Sequence, residues 1–140
     1  MNDSATGLDL ATLLHTAQAA EQVVEAKLAV VGLSMAKLAA LRTLAEAGES
    51  LSLTQLAERL SCVKSNITQL VDRLEGDGLV ERRTDPNDRR ARLATMTEAG
   101  RQAWKEGVRI QEEAERELLQ RLTTAESKAL AGLLAKLRRR

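Results

Sequence analysis

Within residues 61–97 the spacing of apolar residues changes from that of a helix to that of extended chain. This change is the strongest constraint that the sequence places on the fold. The first half carries apolar residues at the spacing of one helical face, namely Val63, Ile67, Leu70, Val71 and Leu74. Such a face must pack against another element. Beyond Gly76 and Gly78, which can close a helix in the left-handed conformation, two short extended segments flank a turn-rich stretch. The segment therefore predicts a helix from about 63 to 75 followed by a β-hairpin.

The opposite face of this helix carries, near its N-terminal end, compact hydrogen-bonding side chains and one cation: Lys64, Ser65, Asn66, Thr68 and Gln69. Side chains of this kind hydrogen-bond base edges and phosphates when a helix end enters the major groove of DNA. A helix that only meets solvent more often carries Glu and Lys there. The alternative is a surface helix that is rich in small polar residues without a binding role.

The predicted hairpin consists of residues 79–84 and 92–96, and residues 85–90 form a loop longer than a tight turn. Residues 82–92 include five arginines and two aspartates, so the protrusion is locally cationic. Such a tip suits a minor groove or a phosphate ridge. The alternative is an Asp–Arg network that only stiffens the loop. Both roles are compatible if Asp85 or Asp88 orients one arginine while another reaches out.

A short helix is predicted immediately upstream, over residues 53–60. Ser52 or Thr54 can cap it, and Ser52 and Gln55 have the spacing of a capping box. The two helices join near Ser61 and Cys62. Two short helices in this order predict a helix-turn-helix in which the second helix contacts the DNA bases, and the hairpin adds a wing.

The run LTQLAERLSCVKSNITQLVDRLEGDGLVERRTDPNDRRARLATMTEAG resembles the DNA-binding core of the multiple antibiotic resistance regulator (MarR) family. The resemblance is densest in DRLEGDGLVER and DPNDRR, and it covers nearly the whole chain at differing strength. It implies a bacterial or archaeal homodimeric transcription factor that binds a palindromic operator and usually represses. It also implies that a small ligand or an oxidant often releases the DNA.

The resemblance implies roles for individual residues. The helix from about 63 to 75 would be the recognition helix, Arg89 and Arg90 occupy the position of the wing-tip arginine, and Asp88 matches the aspartate that braces it. Val63 departs from the pattern, because many members have Ser or Thr there as the helix N-cap. We predict Asp85 and Asp88 as wing-bracing residues. The predicted DNA-binding residues are Lys64, Ser65, Asn66, Thr68, Gln69, Arg73, Arg83, Arg89, Arg90 and Arg92.

Composition favours a mainly α-helical fold with a small β-hairpin wing. The chain has no Phe or Tyr and one Trp, so 24 Leu and 22 Ala must supply most of the core volume. These side chains allow close helix packing. The only Pro lies in the predicted wing.

Net charge does not by itself indicate a nucleic-acid binder, because 21 basic and 20 acidic residues leave +1. The arginines are instead concentrated at 82–92. A second basic cluster, Lys136, Arg138, Arg139 and Arg140, ends the last predicted helix, where the helix dipole favours cations whether or not they contact DNA. One Cys excludes an intrachain disulfide, no apolar stretch approaches the ~20 residues needed to span a bilayer, and no secretory signal is visible. We therefore expect a cytoplasmic protein.

Amphipathic helices are predicted on both sides of the helix-turn-helix and its wing. Two precede it, at 8–31 and 34–47, and two follow it, at 97–122 and from 123. We divide the chain into an N-terminal dimerisation helix (1–33), a winged helix-turn-helix domain (34–97) and C-terminal dimerisation helices (98–140). The terminal helices cannot bury their apolar stripes against the middle module alone, which predicts a homodimer. The alternative is one compact monomeric domain. The predicted interface residues are Leu10, Leu13, Leu14, Leu130, Leu133, Leu134 and Leu137.

Residues that could carry other chemistry are few. Cys62 is expected to be a small buried residue rather than an oxidant sensor, since redox-sensing relatives hold their cysteine in the first helix. His15 has no visible cluster of metal ligands around it and is interpreted as a polar group at an interface. Trp104 is expected in the core, with a ligand cleft as the alternative. No catalytic or cofactor-binding motif is visible, so we do not expect an enzyme.

The leading hypothesis is a dimeric sequence-specific DNA-binding regulator whose partners are double-stranded DNA, a second copy and a possible small ligand. The alternative is a winged-helix module for protein–protein contact, in which the wing arginines meet an acidic partner. Such a module has no need for small hydrogen-bonding residues on the helix together with arginines in the wing.

Overall fold

The computed structural model describes residues 7–61 and 64–139, with the side chains of residues 64 and 65 outside the description. Helices and a small sheet follow one another along this part of the chain. Their bounds are α1 Leu10–Ala29, α2 Met35–Glu46, β1 Ser50–Ser52, α3 Leu53–Arg59, α4 Lys64–Gly76, β2 Val80–Asp85, β3 Asp88–Met96, α5 Glu98–Leu119 and α6 Thr124–Arg138. The mainly helical winged helix-turn-helix fold expected from the sequence is confirmed. Among the described residues, no helix is both long and apolar enough to cross a membrane.

Local side-chain capping sets where these helices begin. The N-cap side chains that accept a backbone N–H of the first turn belong to Asp9, Ser34, Ser52, Thr97 and Thr123. Ser52 and Thr123 form complete capping boxes with Gln55 and Glu126, as their spacing predicts. Because each cap satisfies a backbone donor that would otherwise lack a partner, the helix starts follow directly from the sequence.

The sheet has three strands in the order β1-β3-β2, one more than the predicted hairpin. β1 pairs antiparallel with β3, with Leu51 opposite Ala94. Both residues are buried, so the third strand anchors the base of the wing in the core. Three residues of sequence Ser-Leu-Ser carry no alternation long enough to distinguish a strand from a loop.

The wing turn is tighter than predicted. Only Pro86 and Asn87 separate the strands, and Asp85 pairs with Asp88 instead of lying in a six-residue loop. The register then shifts, because Thr84 pairs with Arg92 and residues 89–91 have no partner on β2. The surplus residues are therefore accommodated as an irregularity in β3, which bends a strand locally.

The core lies where α1, α2, α3, α4, α5 and the sheet meet. Ile67, Val71 and Leu74 are fully buried, which confirms the apolar face predicted for α4. Leu70 is half-buried against the same cluster, while Val63 and Cys62 lie outside the described residues. Fully buried leucines from α1, α2 and α3 complete this cluster. The inner face of α4 is thus held in place by contacts with several elements.

Two glycines let α5 pass close to the winged module. A Cβ on Gly100 would lie 2.1 Å from the carbonyl oxygen of Leu79, and one on Gly107 would lie 2.6 Å from Leu38 Cδ1. Both distances are below van der Waals contact, so the absence of a side chain lets α5 approach the residue before β2 and helix α2 this closely. The start of α5 is therefore fixed by the backbone contact at Gly100, whereas the neighbour of Gly107 is the end of a side chain.

Candidate nucleic-acid interface

Helix α4 presents a polar outer face because its inner face is committed to the core. Asn66, Thr68, Gln69 and Arg73 are exposed. Asn66, Gln69 and Arg73 are three or four residues apart, so they follow one stripe of the helix. Lys64 and Ser65 lie in the first turn, where the backbone is described. Helix α4 thus carries amide and guanidinium groups on the surface opposite its apolar face.

The wing begins directly after a tight helix exit. Leu79 N–H donates to the carbonyl of Leu74 at 2.9 Å, and Gly78 has a φ of +75°, the left-handed conformation expected at a helix end. β2 then leaves beside the last turns of α4. The recognition helix and the wing are therefore neighbours in space as well as in sequence.

The wing arginines predicted to contact DNA are exposed. Arg83, Arg89, Arg90 and Arg92 all have their side chains on the surface. Arg83 is 2.9 Å from a carboxylate oxygen of Glu81. Within residues 7–61 and 64–139, no ion pair is recorded for Arg73 or for the three arginines of β3. Their charges are therefore available to an external anion.

Asp85 and Asp88 contact the backbone of the turn. The Asp85 carboxylate accepts the N–H of Asn87 at 2.9 Å, and the Asp88 carboxylate accepts the N–H of Arg90 at 3.0 Å. The sequence left open that one of them orients an arginine side chain, but the observed donors are main-chain amides. The two carboxylates hold the backbone on either side of the turn, and the Arg90 guanidinium forms no ion pair with another described residue.

Arg82 differs from the other wing arginines, and the sequence prediction, which counted it in the cationic stretch 82–92, did not include it among the DNA-binding residues. Its side chain is only 23% exposed, against 64% for Arg83. It forms ion pairs with Asp72 and Glu75 of α4. The signal that could have identified it is the pair of carboxylates three residues apart on α4, just before the tight turn into β2. Arg82 therefore belongs to the contact between α4 and the wing.

An ionic cluster connects the base of the wing to α5. Arg101 donates to Glu98 at 2.6 Å and to Glu49 at 2.5 Å, and Glu49 precedes β1. A hydrogen bond from Gln102 and then the Arg101 guanidinium lower the pKa of Glu98. The pKa of Arg101 is raised, first by its hydrogen bond to Glu98. The cluster stabilises the charged forms of both groups and thereby the start of α5.

The remaining candidate residues lie away from this surface. His15 is exposed on α1. In the described part of the chain, no group of three or more His, Cys, Asp or Glu side chains could hold a metal ion. Trp104 is half-buried against the core. A cleft of about 170 Å³ lies between α2 and α5, and its lining residues are Met35, Leu38, Ala39, Arg42 and Gln111.

The comparisons with known proteins agree with this geometry. Residues 33–91 match the model of the MarR family. A solved structure of a probable transcriptional regulator from Pseudomonas aeruginosa is 31% identical, covers 92% of this chain and 96% of its own, and superposes with a TM-score of 0.76. This chain belongs to the MarR family. Its resemblance to MarR-family regulators, stated from the sequence, is confirmed, and so is its assignment to transcription regulation.

Two further comparisons extend over most of the chain. A crystal structure of a mutant MarR from E. coli complexed with operator DNA has a TM-score of 0.79 at 26% identity, over 93% of this chain and 94% of that one. The uncharacterized HTH-type transcriptional regulator YdgJ of Bacillus subtilis (strain 168) is 29% identical over 129 residues, which are 91% of this chain and 78% of that protein. The similarity therefore includes the terminal helices as well as the winged module.

Proposed function

We propose that this MarR-family regulator is a homodimeric repressor that binds a palindromic operator and leaves it when a small ligand binds. One observation carries the DNA-binding part of this proposal. The exposed amides of α4 and the unpaired arginines of β3 belong to one continuous segment, in which β2 leaves α4 through a tight turn and pairs with β3. A protein–protein module would not require this combination.

The two elements suit different features of the duplex. Asn66 and Gln69 carry side-chain amides, which can form paired hydrogen bonds with adenine in the major groove. Arg89 and Arg90 lie in the irregular part of β3 just beyond the turn, and a protruding arginine fits a narrow minor groove with enhanced negative potential. We propose that α4 reads bases while the wing contacts the adjacent minor groove or phosphates.

The terminal helices supply the argument for a homodimer. α6 has no buried residue, and its leucines are 40–63% exposed. Leu10 and Leu14 of α1 are 70% and 55% exposed, and Leu13 is half-buried. At about 25 cal/mol for each Å² of apolar surface removed from water, such side chains favour association. We propose that α1 and α6 of two copies cover one another.

A two-fold dimer would place two copies of α4 about 34 Å apart, one turn of the duplex, and so match a palindromic site. The presence of two DNA-binding surfaces in the dimer matters because the chain has a net charge of only +1. A broad basic surface cannot supply the affinity for DNA. The affinity must therefore depend on a few contacts from each protomer.

Repression and release by a ligand follow from what the family resemblance implies. The cleft between α2 and α5 is a candidate ligand site, because it joins the winged module to a terminal helix. Its volume of about 170 Å³ suits a single-ring compound, and Arg42 in its lining favours an anionic one. Release of operator DNA by single-ring aromatic acids, and its loss in Arg42→Met, would support this site. Unchanged release in Arg42→Met would contradict it.

Selection of bound sequences from a random DNA pool tests the proposed function. The expected product is a palindrome with two half-sites about one helical turn apart. Light scattering of the complex should then give two protomers for each duplex. If no palindrome is enriched, the proposed function fails and the protein–protein module becomes the better interpretation.

A further inference from the structure

We propose that Arg82 is a positioning residue that fixes the wing relative to the recognition helix, so that both engage DNA together. This inference rests on the DNA-binding function proposed above. Arg82 lies on β2, near the base of the wing, whereas Arg89 and Arg90 lie beyond the turn on β3. Its role is therefore distinct from that of an arginine that contacts DNA.

The contacts of Arg82 join β2 to three turns of α4. Nη2 donates to the Thr68 carbonyl at 3.3 Å and also to the Asp72 carboxylate. Nη1 donates to Glu75 at 3.4 Å, and the backbone N–H of Arg82 donates to the same carboxylate at 3.1 Å. One guanidinium thus reaches a carbonyl and two carboxylates spaced along the helix. A rigid planar fork with several donors fixes orientation in a way that a single contact would not.

The same contacts neutralise the positive charge of Arg82. Two carboxylates face one guanidinium, so this group of three side chains has a net charge of −1. Thr68 and Asp72 lie on the flank of α4 next to Gln69, close to the exposed stripe. Without Arg82 the two carboxylates would repel DNA phosphates more strongly. Positioning and charge neutralisation therefore make separate predictions, which the experiment below distinguishes.

A double-mutant cycle on the selected operator, at fixed salt, tests the positioning role. We expect Arg82→Met to weaken binding by about tenfold, and Arg90→Ala to do so by about tenfold or more in the wild-type background. In the Arg82→Met background, Arg90→Ala should weaken binding by no more than about twofold, because the wing is no longer held in place. Equal losses from Arg90→Ala in both backgrounds would overturn the proposal. A loss of global stability alone would leave the two effects additive.

A charge-balanced variant separates positioning from neutralisation. The triple variant Asp72→Asn, Glu75→Gln and Arg82→Met removes the contacts without leaving unpaired carboxylates. If the triple variant recovers wild-type affinity and the full effect of Arg90→Ala, Arg82 only neutralises charge and the positioning role is overturned. We expect the reduced effect of Arg90→Ala to persist.

The control is Arg109→Met, which removes ion pairs to Glu106 and Glu113 on α5, away from α4 and the wing. It should leave affinity unchanged. Thermal unfolding should show each variant folded at the assay temperature, and Arg82→Lys replaces Arg82→Met in the cycle if the latter does not fold. If Arg90→Ala has no effect in the wild-type background, the proposed wing contact itself fails and the positioning role fails with it. That outcome is distinguishable from equal losses in both backgrounds.

Discussion

The α-carbon of Gly100 faces the carbonyl oxygen of Leu79 so closely that a Cβ there would lie 2.1 Å from that oxygen. The side chain of Met96 would also be only 2.9 Å away. Gly100 is the third residue of α5, and Leu79 precedes β2, so this contact sets where the helix leaves the wing. A backbone carbonyl cannot move aside as the end of a flexible side chain can.

Gly100→Ala should therefore destabilise the protein although alanine favours helices. We expect the free energy of unfolding to fall by at least about 2 kcal/mol, since the clash must be relieved by moving backbone. Gly76→Ala is the matched control, because nothing lies within 4 Å of a Cβ at that exposed helical position. It should change stability by less than about 1 kcal/mol. Urea unfolding of both variants checks this, and equal effects would contradict the close contact.

Arg90→Ala should weaken operator binding. If the guanidinium enters the minor groove, the loss should be about 1–3 kcal/mol per protomer. If it touches phosphate only, the loss should be smaller and the dependence of affinity on salt should become shallower. Fluorescence anisotropy at several salt concentrations distinguishes the two cases. Unchanged affinity and unchanged salt dependence would mean that the wing assignment is wrong.

Leu133→Glu should weaken dimerisation and, with it, operator binding. Leu133 is 57% exposed in the single chain, and a carboxylate in its place would be buried without a partner in the proposed interface. We expect the dimer dissociation constant to rise by about tenfold or more. Lys128→Glu, on the opposite side of α6, is the control and should not change it. Light scattering over a range of concentrations provides the measurement, and a wild-type protein that is monomeric at micromolar concentration would refute the dimer.

The contribution of Glu98 to stability should depend on pH. Its pKa is lowered in the folded protein, by the Gln102 hydrogen bond first and by Arg101 next. A carboxyl whose pKa is lower in the folded than in the unfolded state stabilises the fold above its unfolded pKa, near 4.5, and loses that contribution as the pH falls through the folded value. Glu98→Gln should therefore be less stable than wild type at pH 7, and the difference should shrink below about pH 4. A difference that stays constant from pH 7 to pH 3 would contradict this.

Local chemistry made several features of the fold predictable. The capping boxes at Ser52 and Thr123 involve residues three positions apart, so the sequence alone determines them. The buried face of α4 follows from helical periodicity, and Ile67 and Val71 are fully buried as expected. In each case the partners lie within one or two helical turns of one another.

Features that depend on distant partners could not be predicted in the same way. β1 exists because Leu51 pairs with Ala94, more than forty positions away. The role of Arg82 depends on the turn at Gly78, which brings β2 back along α4. The tight turn at Pro86 was also missed, because the composition of residues 85–90 fits a longer loop as well as a two-residue turn followed by a strand irregularity. For the candidate site, sequence identified exposed polar residues, and the structure shows that Arg82 is already paired with two carboxylates of α4.

The central claim is that α4 reads the operator bases, and parallel selections from one random DNA pool test it most directly. Wild type and Gln69→Ala should both enrich palindromes with the same half-site spacing, because the dimer is unchanged. The preferred bases at one position of each half-site should differ between them, because the Gln69 amide is lost. Identical enriched sequences from both proteins, or no palindrome from wild type, would contradict the account.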